Sequence, residues 1–215
     1  LSLAPYRSRL YRWVYGPYFM EKALEHFLSY QLLGLGPNDV YLDVASGFSE
    51  FPDIVAALSG ARVWRHDLDY PAGVHGDMIG GTAAHIPLSD AGVSKIAVHS
   101  SFEEFEGDAD TAFIREAGRL LRPGGRLCIV PLFLGDRYCI VTDPAVDRRK
   151  VCFDAGAAIV EFPSRNRFER LYDAHTFRRR VLQACGTLRL SGYHVVNAAY
   201  LDPNCFVRFV ALFEK

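Results

Sequence analysis

Apolar runs of strand length alternate with stretches of helical spacing along this chain. Val40-Tyr41-Leu42-Asp43-Val44 lies between Pro37-Asn38-Asp39 and the small-residue turn Ala45-Ser46-Gly47-Phe48-Ser49, which is the pattern of a strand buried on both faces. Helical spacing starts at Phe51, continues through Ile54, Val55 and Leu58, and closes at Gly60. Ala61 to Leu68 then reads as a second strand, with Asp67 near its end. A strand, a turn of small side chains, a helix and a second strand ending in an acid make a nucleotide-binding βαβ unit. In such a unit the ligand approaches the backbone closely beyond the carboxyl ends of the strands.

The remaining elements follow from the same periodicities. Tyr6 to Leu33 is predicted as one or two aromatic-rich helices packed on the sheet, divided at Gly16-Pro17. Between Pro71 and Leu88, Gly73, Gly76, Gly80 and Gly81 leave little room for a helix, so a short or irregular connection is expected. Lys95 to Ser101 is a strand, and Asp110 to Leu121 is an amphipathic helix with Phe113, Ile114, Ala117 and Leu120 on one face. Pro123-Gly124-Gly125 stops that helix, and Arg126 to Pro131 forms the next strand. Leu132 to Tyr172 exceeds an ordinary connection and is either a functional lid or a solvated excursion, with a short strand or hairpin arm at 157–160. Asp173 can cap a helix running through Phe177, Val181, Leu182 and Cys185 to Gly186. Leu188 to Tyr200 and Cys205 to Phe213 supply two final strands.

Composition narrows the function classes. A chain of 215 residues, half of them hydrophobic, can bury one sizeable α/β core but hardly two. A formal charge of -1 argues against a nucleic-acid groove as the main interaction. No apolar run reaches membrane-spanning length, and Arg7, Arg9 and Arg12 interrupt the aromatic N-terminus, so neither stable membrane insertion nor a secretory leader is expected. The five scattered cysteines fit reduced thiols in a cytoplasmic protein, and the seven histidines form no local metal-ligand spacing.

Three segments carry a family resemblance. Leu-Asp-Val-Ala-Ser-Gly-Phe-Ser at 42–49 resembles the first motif of class I S-adenosylmethionine-dependent methyltransferases, acid-x-Gly-x-Gly-x-Gly, with Gly47 in register and Ala45 and Ser49 at the other glycine positions. Gly81 to Leu88 is similar to the family's Gly-Asp-Ala-x-x-Leu-Pro-Phe segment, with Thr82 in place of the acid. Arg115 to Leu127 matches Arg-Glu-x-x-Arg-x-Leu-x-Pro-Gly-Gly, a structural signature rather than a catalytic one. The resemblance runs from Val40 to Leu134.

It implies a Rossmann-like α/β fold: a seven-stranded, mostly parallel sheet with helices on both faces and an antiparallel last strand. The chain would divide into an N-terminal helical cap (1–36), a cofactor-binding core (37–134), an acceptor-side insertion (135–172) and a C-terminal helix and strands (173–215). S-adenosylmethionine would contact Asp43, Ala45, Ser46, Gly47, Asp67, Leu68, Thr82, Ala83 and Ser100, with Asp69 competing with Asp67 for the ribose hydroxyls. His99 and then Glu104 are the candidates for a general base. Glu103 beside them is a further candidate contact. Tyr15 and Tyr18, with Tyr11, would line the substrate side, and Arg165 and Arg167 would meet an anionic or hydroxyl-rich acceptor group. The implied reaction is methyl transfer to a small-molecule, glycan or lipid-precursor acceptor; no Asn-Pro-Pro-Tyr segment of the base-methylating type occurs. Two other readings stay open: a methyltransferase-like binding subunit without turnover, and an NAD-dependent oxidoreductase. The second lacks its Gly-x-Gly-x-x-Gly turn.

Overall fold

Tyr41, Leu42, Asp43 and Val44 are all buried because β1 (Val40–Val44) has a parallel neighbour on each side, β2 (Arg62–His75) and β4 (Val93–His99). β3 (Met78–Gly80), β5 (Leu121–Val130), β9 (Arg189–His194) and β10 (Phe209–Glu214) complete a seven-stranded sheet of order β3-β2-β1-β4-β5-β10-β9. β10 is antiparallel to both β5 and β9. This computed structural model describes residues 15–203 and 205–215, so the helical reading at Tyr6, Tyr11 and Val14 lies outside it.

Helices cover both faces. Strand side chains alternate, so Leu42 and Val44 of β1 and Ile96 and Val98 of β4 join α3 (Ala109–Leu120) and Val181, just beyond α4 (Ala174–Arg180), in one core. Tyr41 and Ala97 join α1 (Phe19–Leu33) and α2 (Phe51–Ser59) in the other. Asp43 and His99 share the parity of Tyr41 and Ala97, and this directs both toward α1. Gly16 at φ +49 and Pro17 form the predicted break before α1, and Gly60 ends α2 in the left-handed conformation.

The last two strands are shorter than the expected Leu188 to Tyr200 and Cys205 to Phe213, pairing only over Arg189–His194 and Phe209–Glu214, and three other boundaries differ for reasons the local structure shows. β2 continues past Asp67, bends, and folds back on β3 through a second pairing, His75 with Met78 and Val74 with Ile79, so no helix separates them. β5 begins at Leu121 instead of Arg126 because the Pro-Gly-Gly turn is a bulge inside the strand: Val93 pairs with Leu121 and Lys95 with Arg126. A Cβ on Gly125 would lie 2.8 Å from Arg122 O and 3.1 Å from Ser94 O, which explains the glycine. α4 starts at its Asp173 cap, whose side chain accepts from Thr176 N, but tightens into a 3-10 turn at Leu182–Ala184.

The long segment after β5 has a small sheet of its own: β6 (Cys139–Thr142), β7 (Ala158–Glu161) and β8 (Glu169–Leu171), ordered β7-β6-β8 over Ile140, Val151 and Phe168. Its anchor is ionic. Arg170 is fully buried and donates to Asp154 at 2.6 and 3.0 Å and to the carbonyls of Phe105 and Gly107. Asp110, at the start of α3, accepts from Arg180 at 2.6 and 2.9 Å and from Tyr172 at 2.7 Å. Breaking a buried pair strands its partner's charge, whereas an exposed pair contributes little. Arg170→Ala is therefore expected to lower unfolding stability by about 3 to 5 kcal/mol in urea titration. Arg148→Ala, which removes an exposed pair with Glu161, should lower it by less than about 1 kcal/mol. Equal shifts for the two would refute the anchoring role.

Candidate functional site

Chain direction in the sheet splits between β1 and β4: β2 lies to one side of β1 and β4 to the other. Their carboxyl ends therefore leave a crevice that connecting chain does not fill. A cavity of about 270 Å³ opens there, walled by the β1–α2 turn, by His99, Ser100 and Ser101 after β4, and by Tyr15, Lys22 and His26 from the α1 side.

Asp43 organises this end of the sheet. Its carboxyl group is 1 % exposed and accepts from Tyr41 Oη at 2.5 Å and from Ser46 Oγ at 2.8 Å, with His99 Nδ1 at 3.4 Å. Burial, reinforced by Asp43, holds the Tyr41 phenol well above its ordinary pKa, so it remains a donor. His99 shares its other nitrogen with Ser29 Oγ of α1 at 2.8 Å, and Ser29 reaches the buried Cys128 thiol at 3.5 Å. His26 is 1 % exposed, stacks on Phe51 at 4.5 Å and meets the His99 ring edge-on at 5.0 Å. Burial and the neighbouring His99 push its pKa well below the usual value, leaving it neutral.

The backbone here is unusual. Ala45 (φ +54), Gly47 (φ +50) and Ser100 (φ +44) are all left-handed, and two of the three carry side chains. The Gly47 amide donates to Asp67 Oδ2 at 2.7 Å, the Asp69 amide donates to Asp67 Oδ1 at 2.9 Å, and Tyr70 Oη donates to the Gly47 carbonyl. An ionised carboxylate has about four acceptor sites, so Asp67 is oriented by two amides and keeps capacity for a ligand. Leu68 beside it is 71 % exposed, and Phe48 on the turn is 94 % exposed. Thr82 is exposed and its hydroxyl accepts from Ala84 N, while Ala83 packs against the core.

Asp43, Ala45, Ser46, His99, Ser100 and Tyr15 thus meet at one cavity, and Gly47, Asp67 and Leu68 extend from its turn. Glu104 does not line it. Glu104 lies instead in a second groove of about 300 Å³ with Arg165 and Arg167, beyond the turn Phe102–Glu104. It is solvent-exposed at its edge; crowding by surrounding protein and then the Glu169 carboxylate push its pKa up to about 7. Tyr18 is 58 % exposed and is not part of the cavity wall. Arg167 is engaged by Glu106 and the Lys150 carbonyl, and Arg165 takes φ +65 with its amide on Asp143. Glu103 is buried, and one of its carboxyl oxygens lacks a hydrogen-bond partner among the described residues. Sequence reasoning missed Tyr41, Tyr70, Lys22, His26 and Ser29. The last three recur every three or four positions on α1 and could have been read as a polar stripe on one helix face.

No protein-family model matches the sequence, and no curated protein does. Solved structures match its fold. The chain is similar to 1,6-didemethyltoxoflavin-N1-methyltransferase of Burkholderia thailandensis, solved with S-adenosylhomocysteine (TM-score 0.63, 14 % identity, 94 % of this chain and 80 % of that one). It is also similar to geranyl diphosphate C-methyltransferase of Streptomyces coelicolor, solved with Mg2+, geranyl diphosphate and S-adenosyl-L-homocysteine (TM-score 0.58, 12 % identity, 98 % and 82 %). A third is the [4+2]-cyclase SpnF (TM-score 0.56, 13 % identity, 91 % and 84 %). The fold is that of the class I S-adenosylmethionine-dependent methyltransferases.

Left-handed backbone costs a residue with a Cβ about 1 to 2 kcal/mol, partly offset in glycine by greater unfolded-state freedom. Ala45→Gly is accordingly expected to raise stability by about 0.5 to 1 kcal/mol in denaturant titration. A loss of stability would contradict the strained turn.

Proposed function

We propose that this protein transfers a methyl group from S-adenosylmethionine to a small-molecule acceptor. The observation that carries the reading is the pairing of the left-handed turn Ala45–Gly47 with the strand-end Asp67. The turn leaves Gly47 without a side chain at φ +50, and a Cβ there would stand 3.9 Å from Asp67 Oδ2, in the space a ligand would share with that carboxylate. Asp67, oriented by the Gly47 and Asp69 amides, can accept from both hydroxyls of a ribose. Leu68 offers apolar cover beside it, Thr82 and Ala83 stand on the adenine side, and Ser46 and Ser100 flank the amino-acid portion.

S-adenosylmethionine supplies the sulfonium-borne methyl when bound; the chain has to align the acceptor nucleophile with it. Alignment and exclusion of solvent account for up to about 7 to 11 kcal/mol of barrier reduction in such reactions. His99 has Asp43 on one nitrogen and Ser29 on the other, so its proposed role is to hold the Asp43 turn against α1 rather than to collect a proton. Glu104 faces the neighbouring groove, where a proton acceptor would serve an acceptor molecule reaching across the Phe102–Glu104 turn. The acceptor class, a small molecule, glycan or lipid precursor, is set in this reading by the insertion that carries Arg165. The solved relatives named above act on unlike compounds, as expected when connecting segments choose the substrate.

A binding protein without methyl transfer is the second reading, favoured by Ala45, a side chain held in left-handed backbone where the family motif has glycine. Calorimetric titration with S-adenosylmethionine, S-adenosylhomocysteine and NAD tests the ligand, and label transfer from methyl-labelled cofactor into a cell extract tests turnover. Binding of NAD alone would overturn both readings.

Losing charge-assisted hydrogen bonds costs roughly 1.5 to 3 kcal/mol. Asp67→Ala should weaken S-adenosylmethionine binding about 10- to 150-fold, Asp69→Ala should leave it nearly unchanged, and Gly47→Val should abolish it in a folded protein. Full affinity in the Asp67 variant would remove the ribose assignment.

A further inference from the structure

The face that α1 turns to the sheet end is polar: Glu25, His26 and Ser29 are each at most 1 % exposed. Glu25 fixes two cavity-lining groups at once, accepting from Ser100 Oγ at 2.9 Å and from Lys22 Nζ at 3.0 Å. Lys22 is thereby held against the wall with its side chain 17 % exposed. Among the described residues lining the cavity, Lys22 is the one Lys or Arg and Asp43 the one acid. Their states differ. Asp43 has an internal donor on each carboxyl oxygen, whereas an ammonium carries three donor hydrogens and Glu25 takes one. Burial pushes Glu103, in the turn after β4, well above the ordinary carboxyl range, and Glu21 beside Lys22 on α1 already accepts from the Phe206 amide. The cavity therefore offers a cation with donors to spare beside the β1 turn.

We propose that Lys22 recognises the α-carboxylate of the cofactor's amino-acid portion, held in place by Glu25 and, through Glu25, by Ser100. This rests on the S-adenosylmethionine reading above. Asp67 on the far side of Gly47 takes the ribose, so the tail runs from the β1 turn toward α1 and ends at the ammonium. An acceptor carboxylate would offer the same chemistry, and a comparison made without acceptor separates the two.

The test compares two ligands by calorimetry: S-adenosylhomocysteine, and 5′-methylthioadenosine, which keeps the adenosine and thioether but lacks the amino-acid tail. The unaltered protein should prefer the first. Lys22→Gln should shrink that preference by about 10- to 150-fold by weakening S-adenosylhomocysteine alone, and Lys22→Arg should restore most of it. The double variant Lys22→Gln/Glu25→Gln removes the buried acid left without its cation and gives the same comparison if the single variant folds poorly. An unchanged preference in the glutamine variants, or equal weakening of both ligands, would overturn the role of Lys22 while leaving the cofactor reading intact. Failure of the unaltered protein to bind either ligand would overturn the cofactor reading, and the Lys22 proposal with it.

Discussion

A carboxyl group at the buried end of the central strand is the constraint on which the site depends. Asp43 is sealed from water, and an unmatched carboxyl there would cost several kcal/mol, so its donors are part of the fold. Tyr41 comes from the same strand two residues earlier, Ser46 from the turn, and His99 from the end of β4. Satisfying one side chain thus fixes the turn's path and brings the ends of β1 and β4 together. His99 passes the constraint on to Ser29 and α1. The left-handed conformations at Ala45, Gly47 and Ser100 follow from it, because chain leaving both strands must turn sharply while these contacts are kept.

Much of this was legible in the sequence, for reasons that differ by element. β1 and α2 were readable because each has one dominant period and a clear stop, small residues after Val44 and Gly60, and α3 because its apolar face is strictly periodic, although the chain turns extended at Leu121, before the Pro-Gly-Gly segment. The cavity's sheet side was readable because parallel strands place their carboxyl-end residues at one edge, so Asp43, His99 and Ser100 had to be neighbours. The α1 side was not. Lys22, Glu25, His26 and Ser29 look like an ordinary solvated stripe, and only tertiary packing reveals that this stripe is buried while Phe27 is 43 % exposed. The β2–β3 fold-back was foreseen as irregular but not in form, since four glycines permit many paths.

The insertion shows how composition misleads. Its concentration of arginines suggested a surface for an anionic acceptor, yet the acids that engage them are scattered over 106–161. Arg148 pairs with Glu161, Arg149 with Asp147, Arg167 with Glu106, and Arg170 with Asp154 and Asp110. Whether such a charge is available depends on partners that sequence spacing does not place. The small sheet has a modest centre of its own, Ile140, Val151 and Phe168 with Val146, Phe153 and Ala157 packed against them, and Tyr172 at its edge stacks on Phe102 of the main core. Buried, well-satisfied ion pairs of Arg170 and Arg180 add to that contact and fix the orientation in which the insertion attaches.

That division of labour separates the sheet end from the insertion. The sheet-end contacts around Asp43 are coupled, since altering Tyr41, Ser46, His99 or Ser29 leaves a buried polar group without its partner. The insertion is joined to the core through a compact cluster, Arg170, Arg180, Tyr172 and Asp110, none of which lines the cavity. Its outer residues, Arg165 among them, can therefore vary with little effect on Asp43 or on the turn that follows it. A rigid polar end to the sheet and a separately anchored insertion leave the insertion's surface free to change while the Asp43 contacts stay fixed.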